Sequence, residues 1–321
     1  MRFAPQTSLP FRCRVVVSGR VICSARSHNR STNFARIIDQ GSAFPLRLAP
    51  YALLWRRRTD MGSDRRGTSV GRSRRFFAAK PLHPGERVLT GPTAKHAAGA
   101  LRLRSGEHVV LFDGSGLEFP AEIVSVGRHG VRVVIGDGVP VNRESPLSLH
   151  LGVGLSQPRA MDLVIQKATE LGVAEIIPME TERSQGWLAE KGGKERQVRW
   201  ERIAQEAARQ CGRNRIPHVT QVAHFSQVVR QEVSPAAVRL IFWEEEDRCG
   251  LKEVLAARGL VSEVHLLIGP EGGFSSAEAT AAFTAGFHIV SLGPRILRAE
   301  TAAIAVVSLL QYEMGDLGVA R

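Results

Sequence analysis

Two arginines and a glutamate lie close together near the end of the chain, in Gly293-Pro294-Arg295-Ile296-Leu297-Arg298-Ala299-Glu300-Thr301. Arg298 and Glu300 are the candidate catalytic residues of this loop. A guanidinium offers two donors to an oxyanion, and a carboxylate accepts a proton. The alternative is an exposed ion pair at the start of a helix, where a glutamate also favours the helix dipole. The residue types alone leave both interpretations open.

A second loop, Gly269-Pro270-Glu271-Gly272-Gly273, follows the apolar stretch His265–Ile268. Glycines allow a ligand to approach bare backbone. No Gly-Lys-Ser/Thr follows, and the loop lacks the G-x-G-x-x-G spacing, so a nucleotide-phosphate hydrolase is disfavoured. The alternative to a binding loop is a tight turn from strand to helix.

The elements around these loops alternate between strand and helix. Ser275 and Glu278 have the spacing of a capping box, which predicts a helix over Ser275–Ala285. A strand over Phe287–Leu292 leads to the second loop, and a last helix follows it. Both loops therefore follow strand ends, where open α/β sheets bind their ligands.

Together these segments carry a family resemblance. Leu267-Ile268-Gly269-Pro270-Glu271-Gly272-Gly273 and Leu292-Gly293-Pro294-Arg295-Ile296-Leu297-Arg298-Ala299-Glu300-Thr301-Ala302 resemble the RsmE family of SPOUT RNA methyltransferases. The resemblance spans about residues 75–318. It implies methylation of N3 of a uridine in small-subunit ribosomal RNA, with S-adenosylmethionine as methyl donor. It also implies a homodimer whose active site lies at the subunit interface. The methyl transfer itself requires no metal.

The resemblance further assigns residues to the cofactor. Those expected to bind S-adenosylmethionine are Trp243, Glu244, Leu267, Ile268, Gly269, Pro270, Gly272, Leu292, Gly293, Arg295, Ile296 and Leu297. Arg298 would then stabilise the uracil anion that forms when N3 loses its proton. The sequence does not identify the group that takes the proton, which could be Glu300 or water.

Four arginines are candidate phosphate contacts to RNA, namely Arg75, Arg183, Arg213 and Arg215. Phosphate contacts position a nucleic acid without specifying its sequence. Arg213 and Arg215 follow a predicted helix, so complementation of the helix C-terminus is the competing interpretation. Arg75 could instead meet the partner subunit.

The positive charge of the chain is concentrated at its beginning. The chain carries +12, whereas residues 1–75 contain sixteen arginines, no lysine and three acids, which gives +13. Residues 76–321 therefore sum to −1, and an RNA-binding surface there requires local placement of charge. Residues 1–74 have the composition of a disordered basic extension. They fit a mitochondrial or plastid transit peptide, or an upstream extension with Met61 as alternative initiator.

Two folded domains are predicted after this tail. Residues 75–142 show strand-like runs at His108–Phe112, Phe119–Val126 and Gly130–Gly136, typical of a small, mostly antiparallel β barrel. Lys95-His96 and Leu101–Glu107 resemble the PUA-like domain of RsmE proteins, and a helix is predicted over Ala94–Leu103. Val139–Ser145 is the predicted linker.

Residues 146–318 alternate strands and helices, which predicts a doubly wound parallel sheet. Its predicted strands include Leu147–Leu155, Ala174–Met179 and Val238–Phe242. Its predicted helices include a long one over Glu195–Gln210 and a shorter one over Leu251–Arg258. The resemblance adds that this is a SPOUT α/β trefoil-knot domain.

The remaining composition narrows the class of protein. Four cysteines form no C-x-x-C pair, and ten scattered histidines suggest no metal site. The longest apolar run, Ala302–Leu310, is too short to span a bilayer. A cytoplasmic enzyme is expected, or a plastid or mitochondrial one if residues 1–74 are a transit peptide. A catalytically silent RNA-binding or assembly protein with the same fold is the competing hypothesis.

Overall fold

The computed structural model describes residues 74–79, 81–95, 97, 99, 102–184, 193–259 and 261–319. Apart from Arg74, the tail predicted over residues 1–74 lies outside these ranges. In the described part of the chain, no helix has both the length and the apolar character needed to cross a membrane.

The first domain consists of β1 Arg75–Phe77, β2 Gly85–Leu89, α1 Gly91–Lys95, β3 His108–Phe112, β4 Leu117–Gly127, β5 Gly130–Ile135 and β6 Val139–Pro140. Its strands form a sheet in the order β1-β3-β4-β5-β2, with β6 paired to β4. The pairs are antiparallel except for β1 with β3. Val131, Val133 and Ile135 alternate with exposed residues along β5 and face the domain core.

The bounds of two predicted elements in this domain were wrong. The helix predicted over residues 94–103 begins earlier, since α1 is Gly91–Lys95; His96 and three later positions lie outside the described residues. The predicted linker 139–145 begins with strand β6, whose two residues pair with Leu117 and Glu118. Pro140 is compatible with this position because a proline can occupy an edge strand.

The second domain is built on a sheet of seven strands, β7 Ser148–Gly154, β8 Glu175–Glu180, β9 His218–Val219, β10 Ala223–His224, β11 Val238–Phe242, β12 Glu263–Ile268 and β13 His288–Val290. The strand order is β10-β8-β7-β12-β11-β13, with β9 paired to β8. Every pair in this sheet is parallel. Its helices are α2 Pro158–Glu170, α3 Gly193–Cys211, α4 Phe225–Val229, α5 Leu251–Arg258, α6 Ser276–Thr284 and α7 Ala299–Met314.

Helices cover both faces of this sheet, which makes the domain doubly wound as predicted. Residues of α2, α3, α5 and α7 form one apolar core with alternate residues of β7, β11 and β12. Residues of α4 and α6 form a second core on the other face. Strands buried on both faces become nearly continuous apolar runs, as in Val238–Phe242.

Three short elements between α3 and β11 were not predicted from the sequence, namely β9, β10 and α4. The two strands are two residues long, so they show no periodicity of their own. Both strands are formed by parallel pairing with the edge of β8.

Candidate functional site

A cavity of about 690 Å³ opens where three neighbouring strands end, β11 at Phe242, β12 at Ile268 and β13 at Val290. The carboxyl ends of parallel strands meet at one edge of a sheet, and this edge is the usual ligand site of open α/β folds. The cavity is lined by the glycine loop (residues 269–273), the loop after β11 and the loop after β13.

Local sequence shapes the glycine loop. Helix α6 begins with the predicted capping box, in which the Glu278 backbone N–H donates to Ser275 Oγ and the Ser275 N–H donates to Glu278 Oε2. The loop turns back before this helix through a hydrogen bond from Gly273 N to Pro270 O, 2.9 Å. Gly273 has a φ of +69°, which glycine adopts without strain.

Side chains from other elements fix the same loop. Arg183 Nη1 donates to Gly272 O at 3.0 Å, and Trp243 Nε1 donates to Phe274 O at 3.1 Å. Glu244 lies against Gly273 so closely that a Cβ at residue 273 would overlap its carboxylate. Only glycine at position 273 therefore leaves Glu244 where it is.

The lining matches most of the cofactor residues expected from sequence. Eleven of the twelve line the cavity: Trp243, Glu244, Ile268, Gly269, Pro270, Gly272, Leu292, Gly293, Arg295, Ile296 and Leu297. Leu267 does not, because successive residues of a strand face opposite ways, and its side chain is buried in the core beneath α4 and α6. The side chain of Leu267 therefore lies outside the cavity lining, and its assignment to the cofactor site stays a prediction.

Several lining residues were not predicted, among them Glu246, Asp247, Ser291, Ala299 and Ala302. The alanines lie in the first turn of α7, where small residues keep the cavity open. Glu246 and Asp247 extend the acidic loop after β11, a run of four acids that was visible in the sequence.

Arg298 and Glu300 lie at the rim of the cavity. Arg298 is the N-cap of α7, and its side chain is exposed; Glu300 is half-buried in the first turn of that helix. Neither lines the cavity, whereas their neighbours Leu297 and Ala299 do. Among the described residues, no ion pair joins Arg298 to Glu300, so the competing interpretation, an exposed ion pair at the helix start, gains no support.

Two of the four predicted RNA contacts are corrected by their burial. Arg213 is 6% exposed and binds Glu144 through Nε at 2.8 Å, while its Nη1 donates to Thr169 O and Val173 O at the end of α2. All these partners belong to the same chain. Arg213 therefore fixes the end of α2, which was the competing interpretation of its sequence position.

The side chain of Arg75 is also buried and makes hydrogen bonds within the protein. It is 9% exposed, and its Nη2 donates to Asn214 Oδ1 at 2.5 Å and to Arg213 O at 3.1 Å. Its guanidinium also lies over the ring of Phe112, 4.8 Å from the centroid. Burial lowers the pKa of Arg75 below its ordinary value, with Glu118 opposing that shift. Arg75 thus joins the first domain to the loop after α3.

Arg215 and Arg183 remain accessible. Arg215 is exposed beside the turn at Gly116 of the first domain, with its backbone N–H donating to Glu144 Oε1. Arg183 is 43% exposed at the edge of the glycine loop. Their contact with RNA stays a prediction.

One group of residues with metal-ligand chemistry occurs among the described residues, formed by His150, Glu263 and His265. It lies at the opposite edge of the sheet from the cavity. The two imidazoles are stacked, 4.3 Å between centroids with 9° between planes. The lone pairs of the ring nitrogens lie in the ring planes. Two parallel stacked imidazoles therefore cannot both coordinate one ion unless at least one ring rotates. His150 Nδ1 is already bonded to Glu175 at 3.0 Å.

Comparison with known families matches both domains. Residues 143–311 match the RNA methyltransferase domain family, and residues 89–136 match the RNA methyltransferase PUA domain family. The boundaries predicted at residues 75, 142, 146 and 318 stay predictions.

Relatives and solved structures agree with these matches. The chain is 32% identical over 231 residues to ribosomal RNA small subunit methyltransferase E of Bacillus subtilis, covering 70% of this chain and 89% of that protein. A methyltransferase structure from Legionella pneumophila with bound S-adenosylmethionine is 38% identical, with a TM-score of 0.70, and covers 77% of this chain and all of that one. The ribosomal RNA small subunit methyltransferase E of Neisseria gonorrhoeae, also bound to S-adenosylmethionine, is 31% identical with a TM-score of 0.69, covering 76% and 99%.

The fold is thus that of a SPOUT RNA methyltransferase, an α/β methyltransferase domain preceded by a PUA-like domain. Within that class, the chain belongs to the ribosomal RNA small subunit methyltransferase E (RsmE) family. Family membership implies the C-terminal trefoil knot expected from the sequence.

Proposed function

We propose that this protein uses S-adenosylmethionine to methylate N3 of a uridine in small-subunit ribosomal RNA. The observation that supports the proposal most directly is the cavity at the ends of β11, β12 and β13. It is lined by the two loops that carry the family resemblance. The solved relatives from Legionella and Neisseria bind S-adenosylmethionine.

The cavity suits this cofactor chemically. Ile268, Leu292 and Leu297 provide apolar surface for an adenine ring, and the glycine loop provides accessible backbone amides. Glu244 and its acidic neighbours provide negative charge for a cationic ligand. S-adenosylmethionine supplies an electrophilic methyl group, so the protein itself has to position and activate the uridine.

Arg298 is proposed to stabilise the uracil anion. Loss of the N3 proton spreads negative charge over O2 and O4, and a planar guanidinium can donate to such an anion from two N–H groups. The exposed position of Arg298 at the rim of the cavity favours contact with the incoming RNA over contact with the cofactor. Glu300, further into α7, is proposed either to accept the proton or to orient Arg298.

The active protein is proposed to be a homodimer. Ile296, at the mouth of the cavity, is 88% exposed, and Leu309 and Tyr312 on one side of α7 are 46% and 66% exposed. A second copy covering these side chains would shield the cavity from water. Light scattering on the purified protein tests the proposal, and a monomer at micromolar concentration would contradict it.

RNA is proposed to bind the accessible arginines Arg183 and Arg215, and the protein is expected to act in the cytoplasm on small-subunit ribosomal RNA or the assembled subunit. No metal is assigned a role.

The decisive experiment supplies purified protein and methyl-labelled S-adenosylmethionine to small subunits from cells lacking the enzyme. Nucleoside mass spectrometry of the RNA should then show N3-methyluridine. Cofactor binding without methyl transfer to any RNA would favour the silent RNA-binding protein. A different methylated nucleoside would retain the enzyme class and reject the uridine assignment.

A further inference from the structure

The sequence around the start of helix α2 provides neither a side-chain acceptor nor a negative charge for the N-terminus of the helix. Its N-cap, Gln157, makes no side-chain capping hydrogen bond, and its first turn contains no acidic residue. The first N–H groups of a helix lack partners within the helix, and the helix dipole places positive charge there. Pro158 at the first helical position removes one of these donors.

The missing acceptor comes from the glycine loop. The backbone N–H of Gln157 donates to Glu271 Oε1 at 2.8 Å, across 114 residues of sequence. In a capping box, a glutamate three residues into the helix makes this bond to the N-cap N–H. Here the carboxylate of Glu271 in the glycine loop replaces that glutamate, so the hydrogen bond joins the glycine loop to helix α2.

The loop also lies directly on the chain that leads into α2. A Cβ at Gly154, the last residue of β7, would lie 2.5 Å from Pro270. On its other side, Arg183 holds the loop through Gly272 O. Glu271 itself is exposed and lines the cavity, and within the protein its side chain adds the hydrogen bond from Gln157 to this arrangement.

We propose that Glu271 is a positioning residue for cofactor binding. Its carboxylate fixes the glycine loop to the N-terminus of α2, so that the loop is already ordered when the cofactor arrives. A loop ordered beforehand loses less conformational entropy on binding, and this raises affinity. The inference rests on the proposed function, because it takes the ligand of the cavity to be S-adenosylmethionine.

Two variants of Glu271 separate positioning from direct contact with the ligand. Glu271→Ala removes the acceptor, so S-adenosylmethionine should bind about tenfold more weakly, equivalent to about 1.4 kcal/mol. Glu271→Gln keeps an oxygen that can accept from Gln157, although a hydrogen bond to a neutral acceptor is weaker. Its affinity for S-adenosylmethionine should therefore stay within about threefold of wild type. Glu232→Ala, at an exposed glutamate remote from the cavity, is the matched control and should leave affinity unchanged.

Amide exchange across the whole protein and steady-state kinetics separate positioning from a general structural defect, which would speed exchange at many amides. The Gln157 amide should exchange faster in Glu271→Ala and stay protected in Glu271→Gln. Methylation by Glu271→Ala should show a raised KM for S-adenosylmethionine with an unchanged kcat.

The outcomes that would overturn the proposal are distinct. Equal affinity of wild type and Glu271→Ala would reject it while leaving the proposed function standing. Equal loss of affinity in both Glu271 variants, with Gln157 protected in Glu271→Gln, would show direct contact between the charge and the ligand. A wild-type protein that binds no S-adenosylmethionine would overturn the proposed function and this inference together.

Discussion

The carboxylate of Glu244 occupies the space that a side chain at Gly273 would need. An alanine at residue 273 would have to displace Glu244 and adopt a φ of +69°, which costs about 1–2 kcal/mol for a residue with a Cβ. We therefore expect Gly273→Ala to weaken S-adenosylmethionine binding by at least about tenfold, measured by calorimetry. Gly286→Ala is the matched control, since Gly286 also has a positive φ but lies outside the cavity, and a Cβ there would meet no atom within 4 Å.

Gly272→Val should also weaken cofactor binding while the protein stays folded and keeps its oligomeric state. A Cβ at Gly272 would lie 3.1 Å from Arg183 Cβ, so a branched side chain would push Arg183 away from the loop. Calorimetry checks the affinity. An affinity equal to wild type would place the cofactor elsewhere.

Arg298→Ala should slow methyl transfer by about 10²–10³, the usual effect of losing an oriented donor to a developing anion. Cofactor affinity should change little, because Arg298 does not line the cavity. Arg298→Lys should restore little activity, since one ammonium cannot replace a planar pair of donors. Single-turnover rates at saturating cofactor and RNA measure the effect.

Glu300→Gln distinguishes the two roles proposed for Glu300. If Glu300 accepts the N3 proton, the defect should shrink at high pH, where N3 ionises unaided. If it orients Arg298, the defect should be independent of pH. Near-normal single-turnover rates for both Arg298→Ala and Glu300→Gln would reject the catalytic assignment of this loop.

Arg213 and Arg215 are two residues apart and should behave oppositely on substitution. Arg213→Met removes a buried partner of Glu144 and should lower the free energy of unfolding by about 3 kcal/mol. Arg215→Met, at an exposed position, should leave stability unchanged and weaken RNA binding. Urea unfolding and RNA titration measure the two effects. Equal stability of the two variants would contradict the structural role of Arg213.

Stability should fall as the pH drops below about 6.5, the ordinary pKa of histidine. Burial, followed by the neighbouring His150 and Arg239, lowers the pKa of His265, with Glu263 opposing the shift. The unfolded chain then binds a proton at a higher pH than the folded chain does, so acid favours unfolding. The stabilisation is present above about pH 6.5 and is lost as the pH falls towards the lowered pKa. His265→Gln should flatten this part of the profile of unfolding free energy against pH.

The sequence predicted local features well and contacts between distant segments poorly. The Ser275–Glu278 capping box and the strand Val238–Phe242 depend on neighbouring residues, and both are confirmed. Arg213 and Arg215 have the same side chain and almost the same sequence context, yet Glu144 and the end of α2 bury only the first. Tertiary contacts alone decide that difference.

The sequence could have predicted the residues that line the cavity more accurately than the burial of the arginines. Leu267 and Ile268 are adjacent in a strand, so alternation already placed them on opposite faces of the sheet. Applying that rule would have excluded Leu267 from the lining. The hydrogen bond from Gln157 to Glu271 had no comparable signal, because it joins a helix start to a loop 114 residues later.

The position of β12 has a consequence for the order in which the protein is made. Among the described strands, β12 alone joins the pair β11–β13 to the strands around β7. Residues 148–242 leave the ribosome before residues 263–268. The edges of β7 and β11 that pair with β12 therefore remain unpaired until β12 has been synthesised. Unpaired strand edges are templates for aggregation. Between translation of β11 and insertion of β12, the nascent chain therefore exposes two strand edges that are paired in the folded protein.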